Sequence, residues 1–199
     1  NAPFAKEQGR YPLRGSNNWA VSGALTPNGR ALVANDMHLG HSVPNIWYQA
    51  RLRVVGPDGR DVTGVTLPGS PFVISGSNTR VAWGYTNSYG DWTDAVVLKP
   101  GASEGTYQTP EGDRAFVTQV ETINVKGEDP VTFEIRETIW GPVVDDIEYP
   151  GGEVAVSWIA HKPEGINLNM VKLETASSVT EALDIANTMS MPPQNFVTG

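Results

Sequence analysis

Apolar residues in this chain come only in short runs, and most of those runs stop at a turn. Glycine (21) and proline (15) make up about 18% of the 199 residues. That punctuation suits many short strands and leaves little room for long amphipathic helices. Trp19 to Val21, Ala31 to Ala34 in "GRALVAND" and Trp47 to Val55 in "WYQARLRVV" each read as a strand. Between the first two, "TPNGR" carries Asn28-Gly29, a hairpin-turn signal, and "GPDGR" at Gly56 to Arg60 is a second turn. "PFVISG" and "TRVAWGYTN" add two strands, and "AFVTQVETINVKG" with "PVTFEIRETIWGPVV" alternates like a long hairpin around Lys126 to Pro130. "VAVSWIAH" is a further strand, in which His161 reads as structural. The clear helix signal comes late, in "SSVTEALDIANTM". There Ser178 and Glu181 form a capping box ahead of an apolar face of Val179, Leu183, Ile185 and Ala186. The fold class that follows is α+β and strand-rich, with antiparallel sheets and a helix near the end.

Composition removes several functions. The apolar fraction is 39% and the charged fraction 18%, as in a folded globular protein. The net charge is −8 and no Lys/Arg cluster is present, which argues against a nucleic-acid partner. No run of 18 apolar residues occurs, so no membrane-spanning helix is expected. The absence of cysteine rules out disulfides, thiolate zinc sites and a cysteine nucleophile. Residues 1–15 are polar and aperiodic and read as an arm or linker. The start at Asn1 without a methionine reads as a mature or excised piece.

Three constellations could carry chemistry. Gly15-Ser16 precedes "WAVSG", Trp19 to Gly23, which reads as a core strand. A serine there is commonly a turn residue. If the bond before Ser16 is cut, however, its own α-amine, titrating near 7.7 to 8.0, can take the hydroxyl proton without a histidine. "NDMHLGH" brings Asp36, His38 and His41 within six residues. They can be metal ligands, a general base at His38, or polar loop residues, and the spacing matches no zinc pattern. "YTNSYGDWTD" places Asp91 and Asp94 three apart with a carbonyl between them, a set that suits calcium or a plain acidic turn. Asn87 and Ser88 just upstream could present a backbone N–H to an oxyanion.

Taken together, "GSNNWAVSG", "ALVANDMHLGHSVPNIWYQARL" and "RVAWGYTNSYGDWTD" resemble, in order and spacing, the penicillin acylase family of N-terminal-nucleophile hydrolases. "RETIWGPVV" and "PPQNFV" look like later family segments, so the resemblance covers about Ser16 to Gly199. It implies that a precursor cuts itself between Gly15 and Ser16. Residues 1–15 are then the end of a spacer and 16–199 the N-terminal portion of a β chain. It implies Ser16 as nucleophile, His38 as an aid to the nucleophile region and the oxyanion, and the Asn87 N–H as an oxyanion donor. Leu39 and Ser75 fall near the acyl pocket. Family enzymes that prefer phenylacetyl groups carry aromatics at comparable places, so these two residues carry no such preference over. Asp91, Thr93 (by its carbonyl) and Asp94 fall on a structural calcium site. The implied fold is part of a four-layer αββα sandwich. The implied partners are an N-acyl substrate such as a penicillin or an acyl-homoserine lactone, a small α chain and the rest of the β chain, and the implied location is periplasmic or secreted. Because those other segments carry further oxyanion donors, the 199 residues alone are expected to be inactive. The rival readings are a calcium-stabilised β-rich binding module with Ser16 inert, and a metal-dependent hydrolase built on Asp36, His38 and His41.

Overall fold

The structure is a computed structural model, and it describes residues 15–37, 39, 42–88, 90–145, 149–190 and 193–199. The chain divides into two compact units, one drawn from Asn1–Tyr89 with Ile166–Gly199 and the other from Gly90–Gly165.

The first unit opens with a hairpin of β1 (Asn17–Val21) and β2 (Leu32–Asp36), paired from Asn17↔Asp36 to Val21↔Leu32. Then come β3 (Tyr48–Val54), β4 (Arg60–Thr66), β5 (Ser75–Ser77) and β6 (Ala82–Asn87). The second unit holds β7 (Thr93–Val97), β8 (Thr106–Thr109), β9 (Gly112–Ala115), β10 (Val117–Ile123), β11 (Val131–Glu137), β12 (Val143–Val144) and β13 (Val154–Trp158). The chain then re-enters the first unit through a 3-10 segment, Asn169–Thr175, the helix α1 (Val179–Ala186) and β14 (Gln194–Thr198).

In the first unit, β14, β6, β5, β4 and β3 form one antiparallel sheet in that order. Side chains alternate across a strand, so β6 faces two ways. On one face Trp83 and Tyr85 join Val62, Val73, Val81, Met170, Leu173, Ala176 and Ala182 in a buried core. On the other, Gly84 leaves room for Asn35 of the β1–β2 hairpin, and Gly199 lies beside Ala31 and Val33. Helical segments therefore cover one face of the sheet and a second β layer covers the other.

Two buried polar groups join the helical side to the sheet. Asn78, in the turn from β5 to β6, donates to the carbonyls of Leu173 (2.9 Å) and Ala176 (2.7 Å). It also accepts from the Arg80 (3.0 Å) and Val81 (2.9 Å) N–H groups, so its carboxamide is fully used. Glu174, 4% exposed, pairs with Arg60 of β4 at 3.1 Å. The helix α1 starts as its capping box demands: the Ser178 hydroxyl accepts from the Glu181 N–H. The Glu181 carboxylate accepts from the Ser177 hydroxyl and N–H, which holds its pKa below the usual value.

The second unit has its own core of Leu98, Tyr107 and Ala155. The long hairpin lies where the alternation put it, with β10 and β11 paired from Val117↔Glu137 to Ile123↔Val131. Among the described residues, no helix is long and apolar enough to cross a membrane.

Three local expectations differ. Trp19 is 52% exposed, because the two-stranded hairpin is covered on one face only and Trp19 lies on the other. Asn28-Gly29 is not a two-residue hairpin turn, since Val21 pairs with Leu32 across a wider loop that begins with a 3-10 turn at Gly23–Leu25. Within that loop Asn28 Oδ1 accepts from the Arg30 N–H and Gly29 takes φ 69°. His161 lies in a 3-10 turn beyond β13, edge-on to Trp158.

Replacing Asn78 by alanine removes the side-chain partner of the Ala176 carbonyl and of the Arg80 and Val81 N–H groups, while the Leu173 carbonyl keeps only the Ala176 N–H. The change should cost about 2–3 kcal/mol of stability, read as a lower denaturant midpoint; a shift under about 0.5 kcal/mol would contradict the role given to it.

Candidate active site

Ser16 stands immediately before β1, so the hairpin fixes where it sits. It lines a cavity of about 500 Å³ in the first unit, and Leu39 and Asn87 line the same cavity. The walls are largely apolar, with Trp47, Phe72, Ile74 and Met170 among them, while Ser16, Asn35, Asn87 and Gln194 supply polar groups. An apolar chamber with a few convergent polar groups suits a small molecule that has an apolar body and one polar reacting bond.

Asn87 ends β6, and the register sets its backbone. Ala82 and Gly199 exchange both of their hydrogen bonds (2.8 and 3.1 Å), so residues 82, 84 and 86 face β14. Residues 83 and 85 turn their N–H and C=O groups the other way, toward the β5 side; at the strand end the Asn87 carbonyl accepts from Asn195 Nδ2 of β14 at 3.4 Å. The β5 side is paired only as far as Gly76↔Trp83. Beyond it, the Asn35 carboxamide meets Tyr85. Asn35 Oδ1 accepts from the Tyr85 N–H (3.1 Å), and Nδ2 donates to the Tyr85 carbonyl (2.8 Å) and to the Asn17 carbonyl (3.3 Å). The Asn87 N–H points to this same side.

A second set of amides closes the other flank. Asn18 donates to the Asn195 carbonyl (3.1 Å). Asn195 donates to Thr86 Oγ1 (3.1 Å), and Gln194 donates to Asn87 Oδ1 (2.9 Å). The residues flanking Ser16 and Asn87 are thus held by side-chain amides from β1, β2 and β14. The Tyr85 phenol meets Met189 Sδ at 3.4 Å, and burial pushes its pKa above the ordinary value, so it stays neutral.

The remaining candidates fall elsewhere. Ser75 does not line the cavity: its hydroxyl donates to the Trp83 carbonyl (3.1 Å), whereas its neighbour Ile74 does line it. Gly15 is described and exposed beside Ser16. His38 and His41 lie outside the described residues, and Asp36 accepts from Asn17 Nδ2 at 3.3 Å. Asp91, Thr93 and Asp94 are exposed and belong to the second unit, with Thr93 and Asp94 on β7 opposite Trp158 and Ser157. Among the described residues, no group of three or more His, Cys, Asp or Glu is placed to hold a metal ion. Asn35, Trp47 and Tyr85 were not singled out from the sequence. The one local sign for Asn35 is a carboxamide at the end of the apolar run "ALVA".

The penicillin amidase family model matches residues 2–199. An acyl-homoserine lactone acylase of Pseudomonas aeruginosa, QuiP, is 33% identical over 133 residues, which is 65% of this chain and 15% of that protein. Penicillin acylase 2 proenzyme of Pseudomonas sp. strain SE83 is 28% identical over 188 residues, covering 93% of this chain and 24% of the relative. A thermostable penicillin G acylase from Alcaligenes faecalis superposes with a TM-score of 0.64 at 26% identity, over 77% of this chain and 28% of that one. The strand-rich antiparallel architecture is shared with that structure, and the chain spans only a minor part of the length of the curated relatives it matches.

Gly84 is a point of close approach between the sheet and the hairpin that carries Ser16. A Cβ there would lie 2.7 Å from Asn35 Cβ and 2.9 Å from its Oδ1. Gly84→Ala should therefore force the hairpin off the sheet and cost about 1–3 kcal/mol by denaturant unfolding; a neutral result would contradict the close approach.

Proposed function

The chain belongs to the penicillin amidase family, and on that premise we propose that it is the nucleophile-bearing part of an acylase that hydrolyses N-acyl amides. The single observation that carries this reading is that Ser16 and Asn87 line one apolar-walled cavity. The first is a hydroxyl beside a cleavable peptide bond, and the second has a backbone N–H turned off β14.

In this reading the precursor cuts itself at Gly15-Ser16. Residues 1–15 are the end of a spacer and 16–199 begin a β chain; the word proenzyme in the name of one relative supports processing of this kind. The freed α-amine of Ser16, with an ordinary pKa of about 7.7 to 8.0, is partly neutral at pH 7 and takes the hydroxyl proton. Ser16 Oγ then attacks the amide carbonyl. The Asn87 N–H, with help from the His38 region, stabilises the oxyanion as its charge develops. The amine leaves with the shuttled proton, an acyl ester remains on Ser16, and water releases the acid.

The apolar walls suit an aliphatic or aromatic acyl group, with Leu39 at the pocket. Relatives named as acyl-homoserine lactone acylases and penicillin acylases set the two substrate classes to try first. A small α chain and the rest of a β chain are the partners of this reading, and the periplasm or the exterior is its location. Asp91 and Asp94 carboxylates with the Thr93 carbonyl are hard oxygen donors, which fit calcium. They would be part of the six to eight oxygens it takes, and the ion would serve structure and take no step in the reaction.

The test uses the complete gene product that carries this chain. The parent should show a new N-terminus at Ser16 and hydrolyse acyl-homoserine lactones or penicillins. Ser16→Ala should stay uncut at Gly15-Ser16 and lose turnover by at least about 10³-fold. Turnover that survives Ser16→Ala would overturn the nucleophile assignment.

A further inference from the structure

We propose that Asn35 is a positioning residue that sets the nucleophile and the oxyanion donor in register with one another; this rests on the acylase reading above. The geometry singles out its carboxamide. Strand β6 loses its β5 neighbour after Gly76↔Trp83, so Tyr85 has an N–H and a carbonyl that no strand takes up on that side. The Asn35 side chain supplies both partners, acting as a single peptide group in place of the missing strand. The second hydrogen of the same Nδ2 goes to the Asn17 carbonyl, one residue after Ser16. One rigid planar group therefore joins the backbone next to Ser16 to the backbone two residues before Asn87.

Three features show that the bridge is built and specific. Every hydrogen-bonding site on the Asn35 amide needed for it is used, at 2.8, 3.1 and 3.3 Å. Gly84 leaves the space in which the side chain lies, and any Cβ there would meet Asn35 at 2.7 Å. Asn35, Ser16, Tyr85 and Asn87 all line the same cavity, so an error in the bridge is an error at the cavity wall. Nucleophilic attack and oxyanion binding each need placement to within about 0.5 Å, and hydrogen-bonding at both ends of one amide gives that without a covalent link. Asn35 touches neither substrate nor reacting atoms in this role; it acts through Ser16 and Asn87.

Substitution separates this role from simple support of the fold. Asn35→Ala in the complete protein should lower kcat per folded molecule by about 100-fold, the effect of misplacement by around 1 Å, with KM within threefold. Asn35→Asp has the same shape and keeps an acceptor for the Tyr85 N–H. Its ionised carboxylate, however, faces the Tyr85 and Asn17 carbonyls, and only the neutral acid can donate to one of them. Of the elements packed there, β1 and β14 carry no titratable side chain, β6 brings the Tyr85 phenol, and β2 itself brings Asp36. The ratio of Asn35→Asp to parent kcat, taken after each protein's own Ser16 α-amine titration is fitted because the new carboxylate lies close enough to shift that amine, should therefore rise as pH falls from 8 and the carboxyl gains its proton.

Folded Asn35→Ala with kcat within threefold of the parent, or an Asn35→Asp ratio that is flat with pH, would overturn the proposal. If neither variant accumulates in folded form, hydrogen exchange of the parent decides. The Tyr85 amide should be protected as well as amides of the β6–β14 ladder, and fast exchange would mean that the bridge is not made. These outcomes are distinct from failure of the acylase reading, which shows as turnover that survives Ser16→Ala.

Discussion

A strand with one side unpaired is the constraint around which the first unit is arranged. Strand β6 carries Trp83, 1% exposed, into the core, and it must satisfy its backbone on both edges to remain there. Strand β14 pairs with one edge along its whole length, but β5 covers the other only at its start. The carboxamide of Asn35 fills the gap at Tyr85, and Gly84 makes room for it. From this follow the seating of the β1–β2 hairpin, the position of Ser16 at its start and the direction of the Asn87 N–H at the end of β6. The cavity lies where these three meet.

The helical side holds the sheet to a matching degree. Asn78 ties the β5–β6 turn to the segment before α1, and Arg60 neutralises the buried Glu174. A lone buried carboxylate would be costly, whereas a paired one fixes which face of the 169–175 segment meets β4. The second unit is organised separately around Tyr107. Its hydroxyl accepts from the Ile139 N–H at 2.9 Å, and its ring packs against Phe116 and Trp140. There Arg136 lies over the Phe116 ring and bonds Glu153, which closes the edge of that core.

Much of this was legible from local signals. Period-two alternation located the β10–β11 hairpin, and the Ser178–Glu181 pair located the start of α1. Ser16, Leu39 and Asn87 were singled out from ordered motifs, and the fold brings them to one cavity. What could not be read depends on contacts distant in sequence. Trp19 looks like a core residue until the hairpin proves to be covered on one side only. Ser75 and Ile74 are adjacent, and only the three-dimensional pairing shows that Ile74 is the one at the cavity. The 169–175 segment has 3-10 geometry and no 3.6-residue period to announce it. The role of Asn35 spans fifty residues to Tyr85, and no local pattern encodes such a bond.

The central claim is that the cavity beside Asn87 is the reaction centre and Ser16 its nucleophile. It is tested most directly by trapping the covalent intermediate. The complete protein is mixed with an N-acyl substrate, quenched in acid within the turnover time, digested and mapped by mass spectrometry. The account predicts one acyl group, as an ester, on the peptide that begins at Ser16. An acyl group found on any other residue, or active enzyme that turns over with no acyl-enzyme at all, would contradict it.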